Sequence, residues 1–193
     1  MLADFLNVNR AGKIAMKLPE GVSLVNAAIA DENDDVMLVT AGGRAIRFPT
    51  TDIRVFKSRG STGVRGIRLA EGDKVVSMAI IRHFDATPEE REAYLKQRRL
   101  MAGAVEDDAE ADDDEESVTT SVGQLSTERY AEMSAAEDLI LTITSGGSGK
   151  LSSSHGYPVR GRGGMGVKAM DGAMRGGKLV ASVNGLNGGP ITL

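Results

Sequence analysis

Apolar and polar positions alternate with a period of two over short stretches separated by glycine-rich turns, which is the pattern of half-buried β-strands. Between Asp35 and Ile81 an apolar run, Val36 to Val39, ends at Thr40-Ala41-Gly42-Gly43, and Ala45-Ile46-Arg47-Phe48 leads back. Glycine reaches the positive φ that a tight hairpin needs, so this stretch predicts a β-hairpin. Gly60, Gly63 and Gly66 then precede Ile67-Arg68-Leu69, Glu71-Gly72-Asp73 signals a turn, and Lys74 to Ala79 closes the unit. Four short strands in one such unit predict an all-β, propeller-like blade.

The unit recurs. Thr40-Ala41-Gly42-Gly43 matches Thr144-Ser145-Gly146-Gly147, Gly63-Val64-Arg65 matches Gly166-Val167-Lys168, and Lys74-Val75-Val76 matches Lys178-Leu179-Val180 after a slip of one residue. Ala11 to Gly21 corresponds to Thr62 to Gly72, a half-copy without its first hairpin. The chain therefore divides into a partial blade over 1–31, a full blade over 35–83, an insert over 84–137, a second full blade over 138–183 and a tail over 184–193. Because each blade buries its faces mainly against its neighbours, two and a half copies predict a partial ring with uncovered edges.

Alternation places Ile14, Met16 and Leu18 on one face of a strand and Lys13 and Lys17 on the other. By the same rule Ile46 and Phe48 lie opposite Arg47, and Ile67 and Leu69 opposite Arg68, so a cation is expected to face outward once or twice per blade.

The β pattern breaks between His83 and Glu137. Thr87-Pro88-Glu89-Glu90 offers an N-cap, a proline at the first helical position and acids in the first turn, predicting a helix to about Ala102. A second helix is expected over Ser126 to Ala136, with Tyr130 and Met133 on one side, completing an α-helical hairpin. Glu106 to Glu116 is an acidic low-complexity linker expected to be disordered, since it has little apolar surface to offset the entropy of ordering.

Charge sharpens this division. The net charge of −4 averages parts of opposite sign. Residues 1–83 hold 12 Lys and Arg against 9 Asp and Glu, residues 84–137 hold 5 against 16, and residues 138–193 hold 6 against 2. The blades are basic and the insert strongly acidic, so the overall acidity hides a scaffold suited to polyanions. There is no cysteine, which excludes disulfides and thiolate metal sites. No apolar stretch approaches the ~20 residues of a membrane span and the N-terminus lacks a signal peptide's leader, so the expected location is the cytosol.

The candidate phosphate-contacting set is Lys13, Lys17, Arg44, Arg47, Arg59, Arg65, Arg68, Lys150, Arg160, Arg162 and Lys168. Many of these lie beside glycines that let a phosphate approach the backbone. On spacing alone the alternative, a merely solvated cationic face, stays open. Aromatic stacking platforms are absent, which favours duplex over single-strand binding. Gly161-Arg162-Gly163-Gly164-Met165-Gly166 has the form of a dinucleotide-binding loop, but a strand-like segment follows it where that site needs a helix. His83 and His155 stand without cysteine or clustered carboxylates, so no metal site, catalytic residue or cofactor is expected. Arg129-Tyr130 has the order seen around the tyrosine of type II topoisomerases, yet it lies in the insert, where helix packing is the expected role.

Ser61 to Asp73, and again Asp138 to Thr142 with Gly161 to Gly166, resemble the C-terminal domain of DNA gyrase A subunits over all residues except the insert and the last ten. The resemblance implies a β-pinwheel, a propeller-like ring whose basic rim binds and wraps double-stranded DNA. That wrapping supports the negative supercoiling carried out by the holoenzyme. It also implies as partners the rest of gyrase A and the gyrase B subunits, with ATP and Mg handled by other regions, in the bacterial cytoplasm at the nucleoid. The family's box, Gln-Arg-Arg-Gly-Gly-Lys-Gly, is absent. Arg160-Gly161-Arg162-Gly163-Gly164-Met165-Gly166 echoes it in a later blade. The chain reads as an internal fragment, and the competing expectation is a protein-interaction scaffold built on the same blades without DNA binding.

Overall fold

A computed structural model of the chain describes residues 10–56, 60–103, 123–170 and 176–185. The first hairpin forms as expected, β1 (Asp34–Thr40) pairing antiparallel with β2 (Arg44–Pro49). β3 (Val75–Arg82) then pairs with the other side of β1. The second copy repeats this arrangement with β4 (Leu139–Thr144), β5 (Gly149–Ser153) and β7 (Leu179–Gly185) in the order β5-β4-β7.

The likeness extends to irregularities. Gly43 and Gly147 turn the two hairpins at φ 88° and 85°. The register slips at Val39/Thr40 in one blade and at Ile143/Thr144 in the other. A single 3-10 turn follows β2 at Thr50–Asp52 and β5 at Ser154–Gly156.

One expectation is overturned by where the fourth strand comes from. Ile67-Arg68-Leu69 forms no strand; Ile67 is buried, whereas Arg68 and Leu69 are exposed. The place beside β2 is taken instead by β6 (Val167–Lys168), which lies between β5 and β7 in the chain, giving the order β3-β1-β2-β6. Arg44 faces Lys168 and Ala45 faces Val167. The first sheet thus borrows a strand from the second repeat, and periodicity along the chain carries no information about which repeat supplies it.

Residues 10–31 form no strand either, correcting the expectation over Lys13 to Leu18. Ile14, Met16 and Leu18 are all exposed. A strand is held by ladder bonds to a neighbour, and among the described strands none pairs with this segment. It nonetheless holds the position of a third strand in a preceding blade. Asn26 Nδ2 donates to Met78 O at 3.1 Å, as the Ser77 hydroxyl donates to Ser182 O. Asp31 N donates to Asp34 Oδ2 at 2.9 Å, as Arg82 N does to Asp138 Oδ2 at 3.1 Å.

The main core lies between the two sheets. Met37, Val39, Ala45, Ala79 and Ile81 of the first meet Ile140, Tyr157, Ala169, Met170 and Leu179. Val36, Ile46, Phe48 and Ile67 form a second cluster on the far side, so the first sheet is buried on both faces.

Both expected helices are present. α1 (Pro88–Met101) starts in a full capping box: Thr87 Oγ1 accepts from Glu90 N at 3.2 Å, and Glu90 Oε2 accepts from Thr87 N at 2.9 Å. α2 (Thr127–Ala135) is capped by Ser126. Tyr94 and Tyr130 pack with ring centroids 4.9 Å apart, and Arg129 Nε pairs with Glu90 Oε1 at 2.8 Å, joining the helices as a hairpin. Tyr130 is therefore a packing residue.

The hairpin seats on the second blade through His155, whose Nε2–H donates to Met133 O at 2.8 Å while Tyr94 and Phe84 approach the ring edgewise. Burial pushes the His155 pKa below its ordinary value, so the ring is neutral. The acidic run Glu106 to Glu116 lies outside the described residues.

Candidate nucleic-acid interface

The strand exchange brings two loops together at the outer edge of the first sheet. Gly163 N donates to Gly66 O at 2.7 Å and Arg68 N donates to Gly164 O at 2.8 Å, so the segment around Arg65 to Arg68 runs beside Arg160 to Gly166. Arg160 N donates to Arg47 O at 2.8 Å, next to a parallel bridge between Arg47 and Val159. Gly166 packs where a Cβ would come within 2.2 Å of Ala45 O, and its φ of +70° also favours glycine. Only that residue lets β6 approach β2 so closely.

Six of the candidate cations converge here. Arg44 on β2 lies opposite Lys168 on β6. Arg65, Arg68, Arg160 and Lys168 are exposed. Arg162 is half-buried and anchored, with Nη1 donating to Arg65 O at 2.7 Å, Nε to Asp52 O at 3.2 Å and its main-chain N to Asp52 Oδ2 at 3.4 Å. Its guanidinium orders the loop while leaving the patch positive. The resulting surface presents cations and glycine-rich backbone from strands and tethered loops, a combination suited to gripping phosphates without reading bases.

The other candidates lie elsewhere. Lys150 is exposed on β5 of the second sheet, Lys13 and Lys17 are exposed in the 10–31 segment, and Arg59 lies outside the described residues. The expectation for Arg47 is overturned. Its side chain is 3% exposed, with Nε 2.7 Å from Oδ2 of the wholly buried Asp35, Nη1 donating to Ser154 O at 2.9 Å and Nη2 to Arg82 O at 2.9 Å. Alternation predicts an outward side chain only when one face of a sheet meets water, and here the second blade covers that face. Arg47 clasps the two blades and is removed from the phosphate-contacting set.

Sequence reasoning passed over Lys74 and Lys178, which are exposed at matching positions and whose carbonyls accept from Ala41 N and Ser145 N, both at 2.9 Å. The match between Lys74-Val75-Val76 and Lys178-Leu179-Val180 held that signal. Strand β6 follows Gly166 directly, where a dinucleotide-binding loop would lead into a helix. Among the described residues no group of three or more His, Asp or Glu could hold a metal ion, and no helix is long and apolar enough to cross a membrane.

These features define a class: propeller-like antiparallel sheets that exchange a strand and carry a basic edge. A family model described as the DNA gyrase C-terminal domain, beta-propeller, matches residues 2–31, 34–82 and 138–183, and the chain belongs to that family. The DNA gyrase A protein of Granulibacter bethesdensis is 46% identical over 94% of this chain and 20% of its own length. The gyrase A protein of Rickettsia bellii is 42% identical over 88% of this chain and 18% of its own, and that of Escherichia coli K12 is 43% identical over 42% of this chain and 9% of its own. The chain thus spans about a fifth of the length of the curated relatives that match most of it. The crystal structure of the C-terminal domain of DNA topoisomerase IV shares the fold, with a TM-score of 0.55 at 16% identity over 90% of this chain and 38% of that one.

Proposed function

We propose that this chain binds duplex DNA through its phosphates, without base readout, as part of the DNA-wrapping surface of a gyrase A protein in the bacterial cytoplasm. Wrapping would support the ATP-dependent negative supercoiling of the holoenzyme, whose chemistry belongs to the rest of gyrase A and to gyrase B. The observation that carries the reading is the convergence of Arg44, Arg65, Arg68, Arg160, Arg162 and Lys168 on one sheet edge. Family membership supports it.

A surface neutralising up to six phosphates gives a slope of log affinity against log salt approaching about −5. Replacing Arg65, Arg68 and Lys168 together with alanine is expected to flatten the slope by up to ~3 and to weaken binding equally on unrelated sequences. Linear duplex titrated by fluorescence anisotropy across a salt series checks this. Unchanged affinity and slope would dismiss the patch, and absence of any salt-dependent binding would favour the protein-scaffold reading.

A further inference from the structure

His83 is the first residue after β3 and the start of the helical insert, and both of its ring nitrogens face carboxylates. Nδ1 lies 2.8 Å from Asp35 Oδ1 and Nε2 lies 3.1 Å from Asp85 Oδ1. Two acceptors on one imidazole require both nitrogens to carry hydrogen, the charged form of the ring.

The two carboxylates are not equivalent. Asp35 is wholly buried on β1 and held on its other oxygen by Arg47, which reaches on to Ser154 of the second blade. Asp85 is fully exposed, and its main-chain carbonyl accepts from Arg129 Nη2 of α2 at 2.9 Å. Arg129 in turn pairs with Glu90 of α1 and Glu132 of α2 and lies 4.9 Å over the Phe84 ring. His83 N donates to Asn33 O at 3.0 Å. The charged ring therefore joins the buried seam between the blades to the strap that leads into the helical hairpin.

We propose that His83 is a proton-operated latch fastening the helical insert to the blade pair. When the ring loses a proton it has one N–H left to give. Asp35, immobile and buried, keeps it through Nδ1; Asp85 then faces a lone pair, and, being exposed, swings to water. The strap from Phe84 to Thr87 loses one of its ties while the Asp35–Arg47 pair stays intact. The bond to Asp35 raises the His83 pKa, with partial burial opposing and Asp85 adding to the rise. A raised folded-state value means that the latch contributes fully below the ordinary histidine value of about 6.5 and is lost as pH climbs through the higher folded value. This device is independent of DNA binding.

Nuclear magnetic resonance on the whole chain tests it, because only two histidines are present and neutral His155 serves as the internal control. The expected result is a His83 midpoint above about 6.5, with amide exchange over residues 84–90, corrected for intrinsic base catalysis, accelerating several-fold across it. Asp85→Asn, an exposed and conservative change, should lower the midpoint and abolish the step. His83→Gln should leave exchange flat with pH. A midpoint at or below the ordinary value, flat exchange in the unaltered chain, or a step of undiminished size in Asp85→Asn would each overturn the latch.

Discussion

Arg47 shows how a side chain's job depends on what covers the sheet above it. Its charge is balanced by Asp35 and its remaining donors meet carbonyls on two elements, so truncating it strands a buried carboxylate. Arg47→Ala is expected to destabilise the chain by about 3–5 kcal/mol, a loss read from urea unfolding followed by circular dichroism, with DNA contact unaffected in whatever fraction stays folded. His155 makes a second prediction with the opposite pH sign to His83. Its lowered pKa keeps the folded ring neutral while the unfolded ring protonates, so stability should fall as pH drops below about 6.5, and His155→Gln should remove part of that slope in thermal melts across pH. Neither role was legible from sequence. The type and spacing of Arg47 fit an outward cation, and only the second blade, invisible to local alternation, reverses it.

Elements were easier to read than contacts because their signals are local. Thr87-Pro88-Glu89-Glu90 holds every part of a capping box within four residues, and the helix begins where that stretch places it. Thr87→Ala should cost about 1 kcal/mol, measurable as a lower helical unfolding midpoint. Hairpins were equally legible, since glycine pairs mark their tips. Strand identity was not. Lys13 to Leu18 has ideal alternation but no ladder partner, and Ile67 to Leu69 yields its expected place to Val167 and Lys168. That exchange depends on Gly166, so Gly166→Ala should destabilise by more than about 1 kcal/mol through strain and the close approach to Ala45. Hydrogen exchange in Arg44 and Ala45 should rise more than in β4 if the damage is confined to the β2–β6 edge.

At the scale of the whole molecule, the two blades differ in what their matching faces meet. In the first sheet the row Arg47, Met37, Ala79 is buried against the second blade. The matching row in the second sheet, Leu151, Leu141, Val183, is only partly covered, Leu141 and Val183 being half-buried and Leu151 56% exposed. An apolar row on a sheet face is an association surface. The chain by itself is expected to self-associate with rising concentration, and Leu151→Lys should shift sedimentation velocity profiles toward monomer without changing the melting transition.

The borrowed strand also sets a timetable for synthesis. β2 leaves the ribosome roughly 120 residues before β6, and at about 5–20 residues per second its outer edge waits roughly 6 to 24 seconds for that strand. Throughout that interval the edge of β2 is open to any extended segment nearby, while the helical insert is being made between donor and acceptor. The nascent chain is thus most exposed to mispairing with a neighbour on the same message during the translation of its own insert.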